Sequence, residues 1–524
     1  MYPGTFSQST PDKPAVIMAN TGESVSYGAL DERSMRLAQL LYSKGLRRGD
    51  RVAVFAENHP RYYEVYWAAV RSGLYVVGVN RHLGADEASY IVENSGADAL
   101  ITTAALADTA TAILPNLKSC EVRLVMDGAA RGFDRYEESI AAFPGEPLEE
   151  QWRGDVLLYS SGTTGRPKGV RRELLDERVD DPPGGKVAML AKSYAGMGAD
   201  TVYLNPAPMY HAAPLQWSTA VHELGGTVVL MERFDAEGLL ELVERYQVTH
   251  TQVVPTMFVR MLRLPGDARG RYDLSSLQRV MHAAAPCPLD VKREMLEWLG
   301  PIVDEYYSST EGNCFSYITA ADWLDHPGSV GKPVLGEPHV CDESGDELPP
   351  GQAGLLYFLR RDSQFEYLGD DAKTQQSRHP KEPMWTTLGD IGYVDEAGYL
   401  YLTDRAAFTI ISGGVNIYPA EIEECLGSHP AVADAAVFGL PDREMGQFVQ
   451  AVVALESGHV ASPDLAQELR EHVRAHLAGF KVPRSVDFRS ELPRLPTGKL
   501  VKGKLVDEYL QRASDLQPIQ PAAG

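Results

Sequence analysis

With 524 residues, 44% of them hydrophobic, the chain is too long for one compact core and ample for two or three, so a multi-domain enzyme is the starting expectation. A formal net charge of −23 disfavours nucleic acid as the main partner, although a locally basic patch could still hold a phosphorylated ligand. No transmembrane run is visible, and Met1-Tyr2-Pro3-Gly4-Thr5 is not the basic stretch and apolar core of a secretory signal. The scattered Cys120, Cys287, Cys314, Cys341 and Cys425 form no Cys-x-x-Cys pair, which argues against a zinc site and a disulfide framework and points to a reducing cytoplasm.

Strand-length apolar runs at 52–56, 227–230 and 251–254 alternate with stretches that read as amphipathic helices, 61–71 and 289–299. That alternation predicts an α/β fold with largely buried sheets. Between the first helix and the second strand lies the most informative segment, Tyr159-Ser160-Ser161-Gly162-Thr163-Thr164-Gly165-Arg166-Pro167-Lys168-Gly169-Val170. Its glycines let successive backbone N–H groups converge, its hydroxyls add adjustable donors, and Lys168 adds a positive charge, so a polyphosphate is the natural guest. The spacing differs from a P-loop, which needs Gly-x-x-x-x-Gly-Lys-Ser/Thr. Pro182-Pro183-Gly184-Gly185 then marks residues 172–186 as an exposed excursion.

Further along stand Pro208-Met209-Tyr210-His211-Ala212-Ala213-Pro214, then His282-Ala283-Ala284-Ala285-Pro286, and then Tyr306-Tyr307-Ser308-Ser309-Thr310-Glu311-Gly312. The last joins an aromatic face that can stack on a base, a hydroxyl donor, and a carboxylate suited to a hard cation. Leu388-Gly389-Asp390-Ile391-Gly392-Tyr393 and Leu402-Thr403-Asp404-Arg405 supply a carboxylate able to accept from two vicinal hydroxyls and an arginine able to join it. A boundary is predicted here, giving regions 1–404 and 405–524. Beyond it, 421–426 and 463–477 read as helices and 448–455 as a strand, enough for a small α+β domain. Ile411-Ser412-Gly413-Gly414-Val415 is a glycine kink, and Phe480-Lys481-Val482-Pro483-Arg484 reads either as a basic patch or as a solvated charged loop. Leu495-Pro496-Thr497-Gly498-Lys499-Leu500 projects a lysine beyond a rigid turn. A disordered tail, 518–524, is expected to follow.

Taken in this order, the motifs resemble those of the adenylate-forming superfamily (acyl-CoA synthetases, adenylation domains of peptide synthetases, luciferases), and the chain looks most like a bacterial acyl-CoA synthetase. The resemblance spans nearly the whole chain. It implies an α/β fold with a large N-terminal region of α/β subdomains, a β-rich portion, and a small mobile α+β C-terminal domain. It also implies ATP, Mg²⁺ and CoA, and a reaction in which a carboxylate attacks the α-phosphate before a thiol displaces AMP. Carried over by position, Ser160, Ser161, Gly162, Thr163, Thr164, Gly165 and Lys168 hold phosphates, and Ala283, Ala284 and Ala285 let adenine approach, with Ala283 where many relatives have glycine. Tyr307 stacks on adenine, Thr310 serves the α-phosphate, Glu311 holds the metal, and Asp390 with Arg405 holds the ribose. Lys499 bridges carboxylate and α-phosphate, Gly413 and Gly414 line the pantetheine tunnel, and His211 either borders the acyl site or is structural. One departure is Phe408, which stands where the family has a charged hinge residue.

His211, Trp217 and residues 313–317 are candidates for the acyl boundary, and their apolar and aromatic balance points to a hydrophobic aryl or medium-chain acid. Transfer to a carrier-protein thiol or another nucleophile is the alternative, as is a nucleotide-sensing scaffold without turnover. A homodimer is left open.

Overall fold

The computed structural model describes residues 1–161, 167–182, 184–285, 287, 289–342, 344–405, 410–417, 419–493 and 502–515; side chains at 160, 161, 403–405, 416, 420, 424, 503, 504 and 513–515 lie outside that description. Backbone contacts divide the chain into a larger unit, Met1–Ser160 with Lys168–Asp404, and a smaller unit, Ser161–Pro167 with Arg405–Gly524. No helix among the described residues is long and apolar enough to cross a membrane.

The larger unit holds a six-stranded sheet in the order Asp134–Arg135, Val122–Met126, Ala99–Thr103, Arg51–Phe55, Tyr75–Val79, Asp155–Val156, with every neighbour parallel. Parallel strands need crossovers, and the helices Tyr27–Ser43, Arg61–Arg71 and Ala85–Ser95 lie between strands of this fold. Ser26 starts the first of them by accepting from Ala29 N, and Leu30, Leu37, Ala38 and Leu41 form its buried stripe.

The helix Arg61–Arg71 corrects an expectation. Read as amphipathic, it is buried from Tyr62 to Arg71. Its charges are tolerated inside because each has a partner: Arg71 Nη2 donates to Asp31 Oδ1 at 2.7 Å, while Glu64 accepts from Arg33 and from Tyr136 Oη, both at 3.0 Å. The segment 172–186 is likewise only partly an excursion, since Val179 is fully buried and its N–H donates to Gln151 O at 2.9 Å.

A second, 14-stranded sheet runs parallel through Pro14–Met18, Thr227–Leu230, Val202–Asn205, His250–Val253, Arg279–His282 and Val303–Ser308. It turns antiparallel from Phe315–Ile318 onward, and this is the β-rich portion. A third, three-stranded sheet joins Leu158–Ser161, Pro167–Arg172 and Phe365–Tyr367.

In the smaller unit the strands Val432–Asp442 and Gly446–Leu455 form a long hairpin. Its turn is built by Asp442, whose carboxylate accepts from Glu444 N and Met445 N, and by Gly446 at φ +78°. Ile410–Ser412 and Val415–Ile417 form a shorter hairpin around Gly413 and Gly414, both at positive φ (60° and 77°), the conformation a tight two-residue turn requires. Helices Pro419–Gly427 and Pro463–His476 bury Ile422, Leu426, Leu469 and Val473 in this unit's core. The architecture is thus the mixed α/β arrangement expected, with a smaller α+β unit.

Candidate active site

Lys168 sits in the strand Pro167–Arg172, beside Phe365–Tyr367, and is buried. Its Nζ donates to Asp370 Oδ2 at 2.6 Å. Asp370 is also the N-cap of the helix Asp371–Gln376, its Oδ1 accepting from Lys373 N at 2.8 Å. The lysine's hydrogen bond, followed by that cap, holds the Asp370 carboxyl below the usual carboxylate range. Burial, with the Lys168 charge behind it, lowers the Lys373 ammonium.

The same short strand reaches the metal candidate. Tyr367 Oη donates to Glu311 Oε1 at 2.9 Å, and Glu311 is only 7% exposed. Glu311 follows the strand Val303–Ser308, where Gly312 at φ +68° turns the chain and its carbonyl accepts from Arg360 Nη1 at 2.6 Å. A buried carboxylate oxygen steadied by a phenol fits a hard cation such as Mg²⁺. Half-buried Thr310 precedes it. At the strand's end Tyr307 Oη donates to Asp390 Oδ2 at 2.6 Å, so the base-stacking and ribose candidates are in direct contact. Asp390 is buried.

Ala284 adopts φ +76°, a left-handed conformation that disfavours a side chain. The strain in the turn proposed to meet adenine therefore falls on exposed Ala284 rather than on buried Ala283, and half-buried Ala285 follows it. Under the turn, His282 is fully buried 3.4 Å from Glu305, which in turn accepts from buried Lys292 Nζ at 2.6 Å.

His211 is the N-cap residue of Ala212–Leu224, its ring centroid 4.5 Å from that of Tyr210. It keeps some accessible surface, yet burial, aided by His82, pulls its pKa down to about 4, so it is neutral at ordinary pH. Trp217 Nε1 donates to Tyr306 Oη at 2.9 Å, and the rings of Tyr306, Phe315 and Tyr317 follow one another at 5.5 and 6.4 Å. Within 313–317 the expectation divides. Phe315 and Tyr317 share the core cluster of Trp217 and Tyr306, whereas Cys314 packs with Leu356 and Phe358. Asn313 donates to Thr386 O, and Ser316 to Val330 O. The alternating faces of a strand separate the two sets.

Tyr367 and Asp370 are positioning residues that sequence reasoning missed. The turn and cap signal in Tyr367-Leu368-Gly369-Asp370 was readable, but nothing local ties it to a lysine some 200 positions earlier (|i−j| = 202). Of the other candidates, Gly413 and Gly414 form the hairpin turn of the smaller unit. Lys481 is buried and paired with Glu421 at 2.8 Å, and Arg484 with Asp442 at 2.6 Å, so these cations are already neutralised and do not form an open basic patch. Gly162, Thr163, Thr164, Gly165, Phe408, Lys499 and the tail lie outside the described residues, as do the side chains of Ser160, Ser161 and Arg405.

A family model described as AMP-binding enzyme matches residues 5–364, and one described as AMP-binding enzyme C-terminal domain matches residues 421–499. The chain is 32% identical over 518 residues to a fatty acid–[acyl-carrier-protein] ligase, ScoC, of Streptomyces coeruleorubidus, covering 96% of this chain and 95% of that protein. It is 34% identical over 496 residues to a feruloyl-CoA synthase of Amycolatopsis, covering 94% and 95%. Among solved structures, the amide bond synthetase McbA of Marinactinospora thermotolerans superposes with a TM-score of 0.83 at 29% identity, covering 97% of this chain and 100% of that one.

Proposed function

The chain belongs to the AMP-binding enzyme family, and from that premise we propose that it is a Mg-ATP-dependent carboxylate–CoA ligase acting on a hydrophobic aryl or medium-chain acid. The observation that carries this reading is the pair of supports on the strand Phe365–Tyr367 and the cap after it: Tyr367 on Glu311 and Asp370 on Lys168. A buried ammonium and a buried carboxylate held this way suit a triphosphate and its cation. The Tyr307–Asp390 contact suits a nucleoside.

In the reaction, the acid's carboxylate attacks the α-phosphorus and pyrophosphate leaves; the CoA thiol then attacks the acyl carbon and AMP leaves. Mg²⁺ at Glu311 would neutralise phosphate charge. Thr310 donates to the α-phosphate, Lys168 neutralises the departing pyrophosphate, and Lys499, from residues 405–524 acting as a lid, bridges the carboxylate and the α-phosphate. Neutral His211 and the Trp217–Tyr306–Phe315–Tyr317 wall border the acid, and neutral, apolar groups favour an uncharged acyl body.

A second reading keeps the adenylation and changes the acceptor. It is favoured by the relatives themselves, whose names include a carrier-protein ligase and an amide bond synthetase. The deciding experiment screens acids of graded length and aromaticity for pyrophosphate release with ATP, then adds CoA and measures product mass. A CoA thioester supports the first reading. Pyrophosphate without a CoA adduct supports the second, and no release with any acid overturns both.

A further inference from the structure

The smaller unit brings together three side chains that the reaction above does not use. Cys425 lies on the helix Pro419–Gly427, and His472 and His476 lie one turn apart on the helix Pro463–His476. Their potential ligand atoms all fall within 4.8 Å of one another. We propose that Cys425, His472 and His476 form a binding site for a borderline-soft divalent transition-metal ion, with Zn²⁺ the foremost occupant.

The hydrogen bonds assign which nitrogens would bind. His472 Nε2 is 3.1 Å from the carbonyl oxygen of Cys425, which can only accept, so Nε2 carries the proton and Nδ1 keeps its lone pair. Ser428 Oγ, 3.0 Å from the same Nε2 and itself donating to Cys425 O at 2.7 Å, adds a second acceptor there. His476 Nδ1 lies 2.8 Å from the carbonyl oxygen of His472, which by the same reasoning leaves Nε2 as its ligand atom. Both imidazoles are therefore oriented by backbone carbonyls through the nitrogen that would not ligate, the arrangement metal-bound histidines use.

His429 stands next to the site, its ring 5.1 Å from that of His472, but it is committed elsewhere: Nδ1 accepts from Ala431 N at 3.2 Å, and Nε2 is 3.3 Å from Glu468 Oε1. The set is thus one sulfur and two nitrogens, with a fourth position for water. Such a set suits Zn²⁺ or Co²⁺ and not Mg²⁺ or Ca²⁺, which take oxygen donors. On binding, the Cys425 thiol gives its proton to solvent, the thiolate and two lone pairs fill the metal's positions, and nothing is oxidised or reduced. Scattered cysteines without a Cys-x-x-Cys pair argue against a zinc site in the sequence; although 47 positions separate Cys425 from His472, the packing of the two helices through Ile422, Leu426, Leu469 and Val473 brings them together. The ion would cross-link these helices.

The test is titration of the full-length, chelator-treated protein with Co²⁺, followed by Zn²⁺ competition against a chromophoric chelator. Expected are one equivalent per chain, visible ligand-field bands of tetrahedral strength, and a near-ultraviolet thiolate-to-cobalt charge-transfer band displaced by Zn²⁺. Cys425→Ser should remove the charge-transfer band, and His476→Ala should weaken binding about tenfold or more. His476 is exposed, so His476→Ala should fold normally, with circular dichroism as the check. Absence of the charge-transfer band, or a band of equal strength and affinity in both variants, overturns the proposal.

Discussion

Lys168 and Asp370 form an ion pair of 2.6 Å whose carboxylate also caps a helix, so the lysine proposed to take phosphate is held in place by the fold itself. A phosphate bound there, as proposed, would share that lysine with Asp370. Asp370→Asn keeps a good cap but removes the competing charge. The pair is partly exposed, and its loss is expected to lower the KM for ATP by about 2–5-fold, the scale of a screened ion pair. Initial-rate kinetics decide it, and a raised KM would mean that Asp370 aims the lysine rather than competing for it.

The Tyr307–Asp390 contact leads to a second expectation. Tyr307→Phe keeps the ring and removes one hydrogen bond to a buried carboxylate, which should lower kcat/KM for ATP about tenfold, the range of bonds to charged groups. Asp390→Ala should cost more, and it should also erase discrimination between ATP and 2′-deoxy-ATP. Retained discrimination would remove Asp390 from the ribose.

Ala284 at φ +76° stores strain that glycine does not. Ala284→Gly relieves about 1–2 kcal/mol in the folded state, offset in part by the freer unfolded chain. The urea midpoint should rise, corresponding to about 0.5–1 kcal/mol. A fall would show that the methyl group packs to advantage.

Acid should weaken the fold through buried neutral histidines. His222 accepts from Trp67 Nε1 at 3.2 Å and lies 3.0 Å from Ala15 O, and burial pulls its pKa down to about 4. A folded-state value below the unfolded one of about 6.5 means that the unfolded chain binds the extra proton. Stability from His222 is therefore complete above about pH 6.5 and is lost as pH falls toward 4, up to roughly 3 kcal/mol. His211, His250 and His282 are lowered for the same reason. Denaturant midpoints should fall from pH 7 to pH 5, and His222→Gln should flatten that slope; an unchanged slope would refute the assignment.

Lys499→Ala is expected to slow adenylation by roughly 10²–10³-fold, the scale of one preorganised charge, while thioester formation from supplied acyl-adenylate largely survives. Equal loss in both half-reactions would contradict its role.

Local patterns in the sequence were enough to find the strands at 52–56, 227–230, 251–254 and 448–455 and the helices read at 289–299 and 463–477, because apolar period is a local property. The misreadings share a cause. The buried charges of Arg61–Arg71 look solvated until Asp31 and Arg33 arrive from another helix, and Lys481 looks open until Glu421 pairs with it. Tyr367 and Asp370 carry only a local turn and cap signal; their partners come from antiparallel pairing between Val170 and Tyr367, a register that only folding supplies.

That register yokes two distant parts of the chain. Through Tyr367 and Asp370, one three-residue strand and the turn after it steady both the Lys168 ammonium and the Glu311 carboxylate, the groups proposed for the triphosphate and its cation. A shift of one residue would send Tyr367 to the opposite side of its sheet and pull Asp370 along with it, so the two electrostatic anchors can slip only in tandem. Under the proposed function, tuning for other acids is then freest along the aromatic wall of Trp217, Tyr306, Phe315 and Tyr317, which lies outside that register.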